Sequence, residues 1–220
     1  SLPPRFMKLH YVEIDSLADG VCIHRPMESY AVVRESEGRY RLTREEPLPV
    51  GRKGYFIAEV TDRRNGVQNT FAVYRLRSWI DGKPHFEFRM DGFTYAISRT
   101  SDAVSCYPLQ LGSRNEVLRM ARIDGAPERF YPTLVDRGLI RTEPGERRLV
   151  EMELEDDCGN RSSLRFEVAG KAEAFVATPP TDSLLMPLFR NRATTLELPD
   201  FTAHIPAGAL YESQYAKAEA

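Results

Sequence analysis

Hydrophobic and polar positions alternate with a period of two over much of this chain. In "RRLVEMELEDD", Val150, Met152 and Leu154 fall on one side and Glu151, Glu153 and Glu155 on the other. That pattern predicts a strand with one buried face, because successive side chains of a strand point to opposite faces. "SSLRFEVAG" repeats it, with Leu164, Phe166 and Val168 inward and Arg165 and Glu167 outward. Between them lies "DDCGN". There Asp156 and Asn160 can bond nearby backbone and Gly159 can adopt positive φ, so the pair predicts a hairpin. An earlier unit, "GYFIAEVTDRRNGVQNTFAVYRL", reads the same way around the turn dipeptide Asn65-Gly66. Asp62 and Asp156 are 94 positions apart, the length of an immunoglobulin-like module, which points to duplicated sandwich hairpins.

Further strands are expected in "RFMKLHYVEI", "SYAVVRES", "RYRLT", "HFEFRM" and "FTYAISR". Helical signal is confined to "SRNEVLRMAR", with Ser113 as cap and Glu116 three residues on, and to one turn in "TDSLLMPLFRN" before Pro187. Short strands separated by Gly, Pro and Asp argue an all-β chain, here immunoglobulin-like β-sandwiches with short helical segments. The expected division is 1–104 as one sandwich unit and 105–172 as a second, or as a continuation of the first. Residues 173–220 then form a linker and strands that pack on the body or open a further domain. The strands in "TTLELPDF" and "FTAHIPAG" would offer open edges, through which two copies could pair.

The composition fits a folded domain: 42% hydrophobic and 28% charged over 220 residues. A net charge of −2 gives no argument for nucleic acid or an acidic membrane. No apolar run is long enough to span a bilayer. The opening "SLPPRF" reads as a cut inside a longer chain. Cys22, Cys106 and Cys158 lack CxxC spacing, which leaves either one bridge and a spare thiol or three thiols.

One stretch imitates a zinc site. "PHFEFR" resembles the end of a peptidase motif with two histidines one residue apart, but the same-face position before His85 is Lys83, a cation that cannot ligate while charged. The upstream His-x3-Asp is also missing: His24 is followed by Glu28 across a proline, and His10 by Ile14. A catalytic zinc needs three protein donors, so no metal, catalytic or cofactor residue is assigned and His85 is expected to be a solvated strand residue. Cys22 and His24 would share a strand face, a pairing that can activate a thiolate; with no third orienting group in view, a buried apolar cysteine is the expected reading. Asp62, Asp91, Asp102, Asp156 and Asp157 sit at expected strand ends, where calcium or simple backbone bonding would suit them. Trp79, Tyr95 and Tyr107 are candidate ligand-stacking residues, with a core position the competing expectation for Trp79.

The stretches "LPPRFMKLHYVEID", "GYFIAEVTDRRNGVQNTFAVYRLRSWIDG", "FRMDGFTYAISR", "ELEDDCGNRSSLRFEV" and "FTAHIPAGALYE" resemble the region downstream of the catalytic domain in secreted lysostaphin-like (M23-type) zinc endopeptidases of Gram-negative bacteria. In that family a Pro-Pro step, here Pro3-Pro4, opens the β-rich part. The family's zinc ligands match nothing in this chain. The resemblance implies a non-catalytic accessory module, in the periplasm or at the cell surface. Its partners would be an upstream peptidase domain, wall polymer such as peptidoglycan, or an envelope protein. The alternative is a free-standing adhesion or carbohydrate-binding sandwich.

Overall fold

A computed structural model describes residues 2–63, 70–92, 94–197 and 201–217. With 50% strand and 8% helix, the chain is mostly β. The body contains β1 (Arg5–Ser16), β2 (Cys22–Ser36), β3 (Arg39–Leu42), β4 (Leu48–Val50), β5 (Lys53–Arg63), β6 (Thr70–Phe71), β7 (Arg75–Ile80) and β8 (Lys83–Arg89). It continues through a one-turn helix α1 (Tyr107–Gln110), β9 (Glu116–Arg119), β10 (Thr133–Leu134), β11 (Ile140–Arg141), β12 (Arg147–Glu155) and β13 (Arg161–Gly170). The tail adds β14 (Met186–Leu188), β15 (Thr194–Glu197), β16 (Thr202–Ile205) and β17 (Gln214–Ala216).

All thirteen body strands belong to one sheet in the order β10-β8-β7-β12-β13-β3-β2-β1-β5-β11, with β4 beside β13 and β6 and β9 beside β5. The expected boundary at 104/105 therefore does not divide it: β12 lies between β7 and β13. The sheet curls because β2 changes partner, pairing with β1 up to Ala31 and with β3 from Val32 onward. Its two halves close on a common core, where Phe56 of β5 meets Phe166 of β13 edge-on at 5.3 Å. Burying aromatic faces in this way contributes on the order of 2–3 kcal/mol each.

The β12–β13 hairpin forms in the expected register, with Val150 opposite Phe166 and Met152 opposite Leu164. Its turn is held by Asp156, whose carboxylate accepts from Cys158 N at 2.9 Å and from Asn160 N at 2.8 Å, while Gly159 has φ 85°. Glu151, Glu153 and Glu155 point outward and meet arginines from neighbouring strands: Arg75–Glu155 at 3.2 Å, Arg77–Glu155 at 3.1 Å, Arg161–Glu155 at 3.3 Å, and Arg77–Glu153. The supposed duplicate behaves differently. Among the described residues β5 and β6 pair at two positions, Asp62–Phe71 and Arg63–Thr70, and β7 then lies in the other half. Asn65-Gly66 lies outside the described residues.

Two segments depart from expectation. "FTYAISR" was expected as a strand, yet Tyr95–Val104 is a run of 3-10 turns. Local bonds such as Ser98 Oγ to Tyr95 O replace a strand ladder there. The helix expected in 113–122 is instead strand β9, antiparallel to β5. Both faces of β9 are covered, Leu118 by the main core and Val117 by a second cluster, so burial outweighs the helical pattern. Ser113 caps no helix; its hydroxyl donates to Glu59 Oε1 at 2.7 Å.

The central strands β1 and β5 are buried on both faces. Leu9, Tyr11, Phe56 and Ala58 face the main core, while Val12, Ile14, Tyr55 and Ile57 face the second cluster. The tail folds back over that second side. Lys171 Nζ pairs with buried Glu13 at 2.5 Å, Ala177 N donates to Asp15 at 2.9 Å, and Tyr215 OH donates to Asp19 at 2.8 Å. β15 and β16 pair with each other, as do β14 and β17.

Candidate functional site

The chemistry gathers between the tail and the outer face of β1, β2 and β5. Alternation puts His10 and Val12 of β1, Cys22 and His24 of β2, and Tyr55 and Ile57 of β5 on that one face. β9 adds Arg119, in register with Ile57. A bulge helps set the geometry: between the pairs His10–Ser29 and Val12–Pro26, β2 carries extra residues, and Pro26 beside it cannot donate to the ladder. From the tail, Glu212 closes the cluster.

His24 Nδ1 lies 3.0 Å from Tyr55 OH, and its Nε2 approaches Glu212 Oε2 at 3.2 Å. The second contact is oblique, an ion pair more than a hydrogen bond. Burial alone would disfavour the charged ring, but bonding to Cys22 and to Glu212 outweighs it and holds the His24 pKa up at about 9. Burial pushes the Glu212 carboxyl up, and its contact with His24 more than reverses this, leaving it below the usual range. Arg119 Nη1 stands 3.8 Å from Glu212 Oε1. Burial disfavours the charged Arg119 as well, yet Tyr55 and Glu212 raise its pKa, and the nearby Cys106 thiol adds to this. The cluster thus sets two cations against one carboxylate.

Two adjoining cavities open on it and share His24, Tyr55 and Glu212. One, of about 240 Å³, is bordered by Cys22, Lys53, Arg122, Asp124 and Arg137. The other, of about 340 Å³, is more apolar and is bordered by His10, Val12, Pro26, Ile57, Leu109 and Arg119.

This corrects the expectation that Cys22–His24 has no orienting third group. Glu212 supplies one from 188 positions further along the chain, a contact no local motif reveals. None of the three cysteines is in a disulfide.

The other expected residues lie elsewhere. Trp79 is not a core tryptophan: it is half-buried on the outer face of β7, with the Arg77 guanidinium 5.5 Å from its ring. Tyr95 is 99% exposed and Tyr107 66%. His85 is buried, not solvated, beneath the 136–138 turn; its Nε2 has no partner, and burial pushes its pKa down. His10 bonds Ser29 Oγ at 2.7 Å and borders the same cavity as His24, while His204 lies 3.2 Å from Thr195 Oγ1 on the tail hairpin. Of the acidic positions, Asp62 is the penultimate residue of β5 and is buried. Asp91 pairs with Arg89 at 2.7 Å, and Asp156 is bonded into its own turn. Among the described residues, Asp156, Asp157 and Cys158 are the one close group of metal-ligating types. No helix among them is long and apolar enough to cross a membrane.

Comparison with protein-family models, curated proteins and solved structures returned no match.

Proposed function

We propose that the chain is a non-catalytic accessory module of a lysostaphin-like envelope peptidase, acting outside the cytoplasm to position the catalytic domain or to bind wall polymer or an envelope protein. One observation carries this reading. The stretches that bear the resemblance are scattered from residue 2 to residue 212, yet they assemble into one unit. β1 pairs with β5 along eight positions, β7 with β12, and the tail's Glu212 reaches His24. A single folded module built from all of them is what an accessory region requires.

An immunoglobulin-like sandwich is the finer fold reading. The Phe56–Phe166 contact across the core supports it, while the parallel pairings of β13 with β3 and β4 depart from that pattern. Pairing of two copies through the open edges of the tail hairpins belongs to the same reading.

A second reading, carbohydrate binding at a cell surface, is favoured by the exposure of Tyr95 and Tyr107, flat rings able to stack on sugars. Co-sedimentation with purified peptidoglycan sacculi tests both. Under the first reading the chain sediments with sacculi, and the parent gene encodes HxxxD followed by HxH upstream. Under the second, retention falls when both tyrosines become alanine, and no such motif lies upstream. A chain left wholly in the supernatant, with neither motif upstream, defeats both.

A further inference from the structure

We propose that the cavity between β1, β5, β9 and the tail is a binding site for a small monocarboxylate with an apolar body, such as an acyl amino acid or the last residue of a peptide. Its volume of about 340 Å³ is at the lower end of the range typical of small-molecule sites. The chemistry of its lining is divided. One side is Val12, Pro26, Ile57 and Leu109, which can only shed water against an apolar group. The other is Arg119, His24 and His10.

The polar side is under-satisfied. Arg119 Nε and Nη1 and His10 Nε2 are buried without a hydrogen-bond partner. The Arg119 side chain is only 11% exposed and that of His10 10%. The buried N–H donors of Arg119 are costly unless an acceptor reaches them, and a guanidinium is shaped for a two-oxygen acceptor. Charge points the same way. Arg119 and His24 face the single carboxylate of Glu212, at 3.8 Å and 3.2 Å, leaving one positive charge for the ligand to neutralise. Glu59 does not supply that missing anion: its Oε2 stays 3.7 Å from His10 Nε2, and its Oε1 is taken by Ser113 and Asn115. Glu212 is therefore a competitor at the rim, a carboxylate of the chain itself sharing Arg119 with the incoming one.

This inference does not depend on the envelope-peptidase reading, since it needs neither an upstream domain nor a wall. The test is titration of the full chain with isovalerate, N-acetyl-L-leucine and N-acetyl-L-leucine amide, followed by calorimetry and by the histidine resonances. The two acids bind with a Kd of about 1 mM or tighter, and the amide at least about tenfold more weakly. Arg119→Gln weakens the acids by about tenfold or more, and Glu212→Gln tightens them several-fold by removing the competitor. If the Arg119 variant fails to fold, Leu109→Trp, which fills the apolar side, must abolish binding. Equal affinity for acid and amide, no binding of either acid at about 20 mM, or full binding by Leu109→Trp overturns the proposal.

Discussion

His24 and His85 lie on strands of the same sheet, both largely withdrawn from water, and they are driven in opposite directions. His85 is covered by the 136–138 turn. Burial is the largest influence on it, the backbone of Gly138 offsets that only in part, and the ring stays neutral. His24 is subject to the same burial, but Cys22 and a carboxylate delivered by the tail more than offset it, and its pKa is held up at about 9. His10 stands between them: Glu59 faces it at 3.7 Å, too far to overcome burial, and its pKa is lowered. Burial decides nothing about a histidine until its partners are counted.

The sharpest way to break this contrast is Glu212→Gln. It leaves the His24 and Arg119 cations buried without their anion, at a cost of about 2–4 kcal/mol near pH 6. The His24 pKa should fall from about 9, with Cys22 still holding part of the rise, and urea unfolding with a histidine NMR titration measures both. An unchanged His24 pKa would show that Glu212 does not hold the charge.

The pH dependence sharpens the contrast next. His24 has a folded pKa of about 9 against an ordinary 6.5, so its contribution is fully present below pH 6.5 and is lost as pH rises to 9. The loss should be on the order of 3 kcal/mol, and His24→Gln should remove that slope. His85, with a lowered pKa, has the opposite sign: its contribution is present above 6.5 and is lost as pH falls. His85→Leu should therefore gain about 0.5–1 kcal/mol at pH 5, since it also removes a buried nitrogen with no partner. Unfolding curves from pH 5 to pH 9 separate the two slopes.

The smallest loss belongs to a ladder whose charges share their partners. Arg77→Ala should cost about 1 kcal/mol, and less in high salt, because Arg75 and Arg161 remain to serve Glu155. Comparing denaturation midpoints in low and high salt checks it. A loss as large as that of Glu212→Gln would erase the distinction between the two sites.

The alternation in "RRLVEMELE" and "RSSLRFEVAG" was enough to place β12 and β13, assign their faces and locate their turn, because each has one dry side and one wet side. The same reasoning missed how β1 and β5 are used. Strands with both faces buried show near-continuous apolar runs, "LHYVEI" and "YFIAEV", and such runs do not say which layer lies on which side. It also misread β9, whose strand state depends on the free edge of β5, and Tyr95–Val104, which has no such edge. Trp79 fell on the outer face because Leu76, Ser78 and Ile80 take the inner one. Cys22 and His24 were visible as a pair, but Glu212 and Arg119 were not.

The amino-acid order by itself determined an all-β chain, the strand-by-strand facing of its best hairpin, and the scarcity of histidine-rich motifs. Those properties depend on neighbours two to five residues apart. Only the tertiary structure decided that His24 is charged, that His85 is dry, and that Arg119 lines a cavity. The reason is physical: a charge in a low-dielectric setting is governed by whatever lies within a few ångströms of it, and here those groups come from residues 22, 55, 119 and 212, which only the closing of the tail brings together.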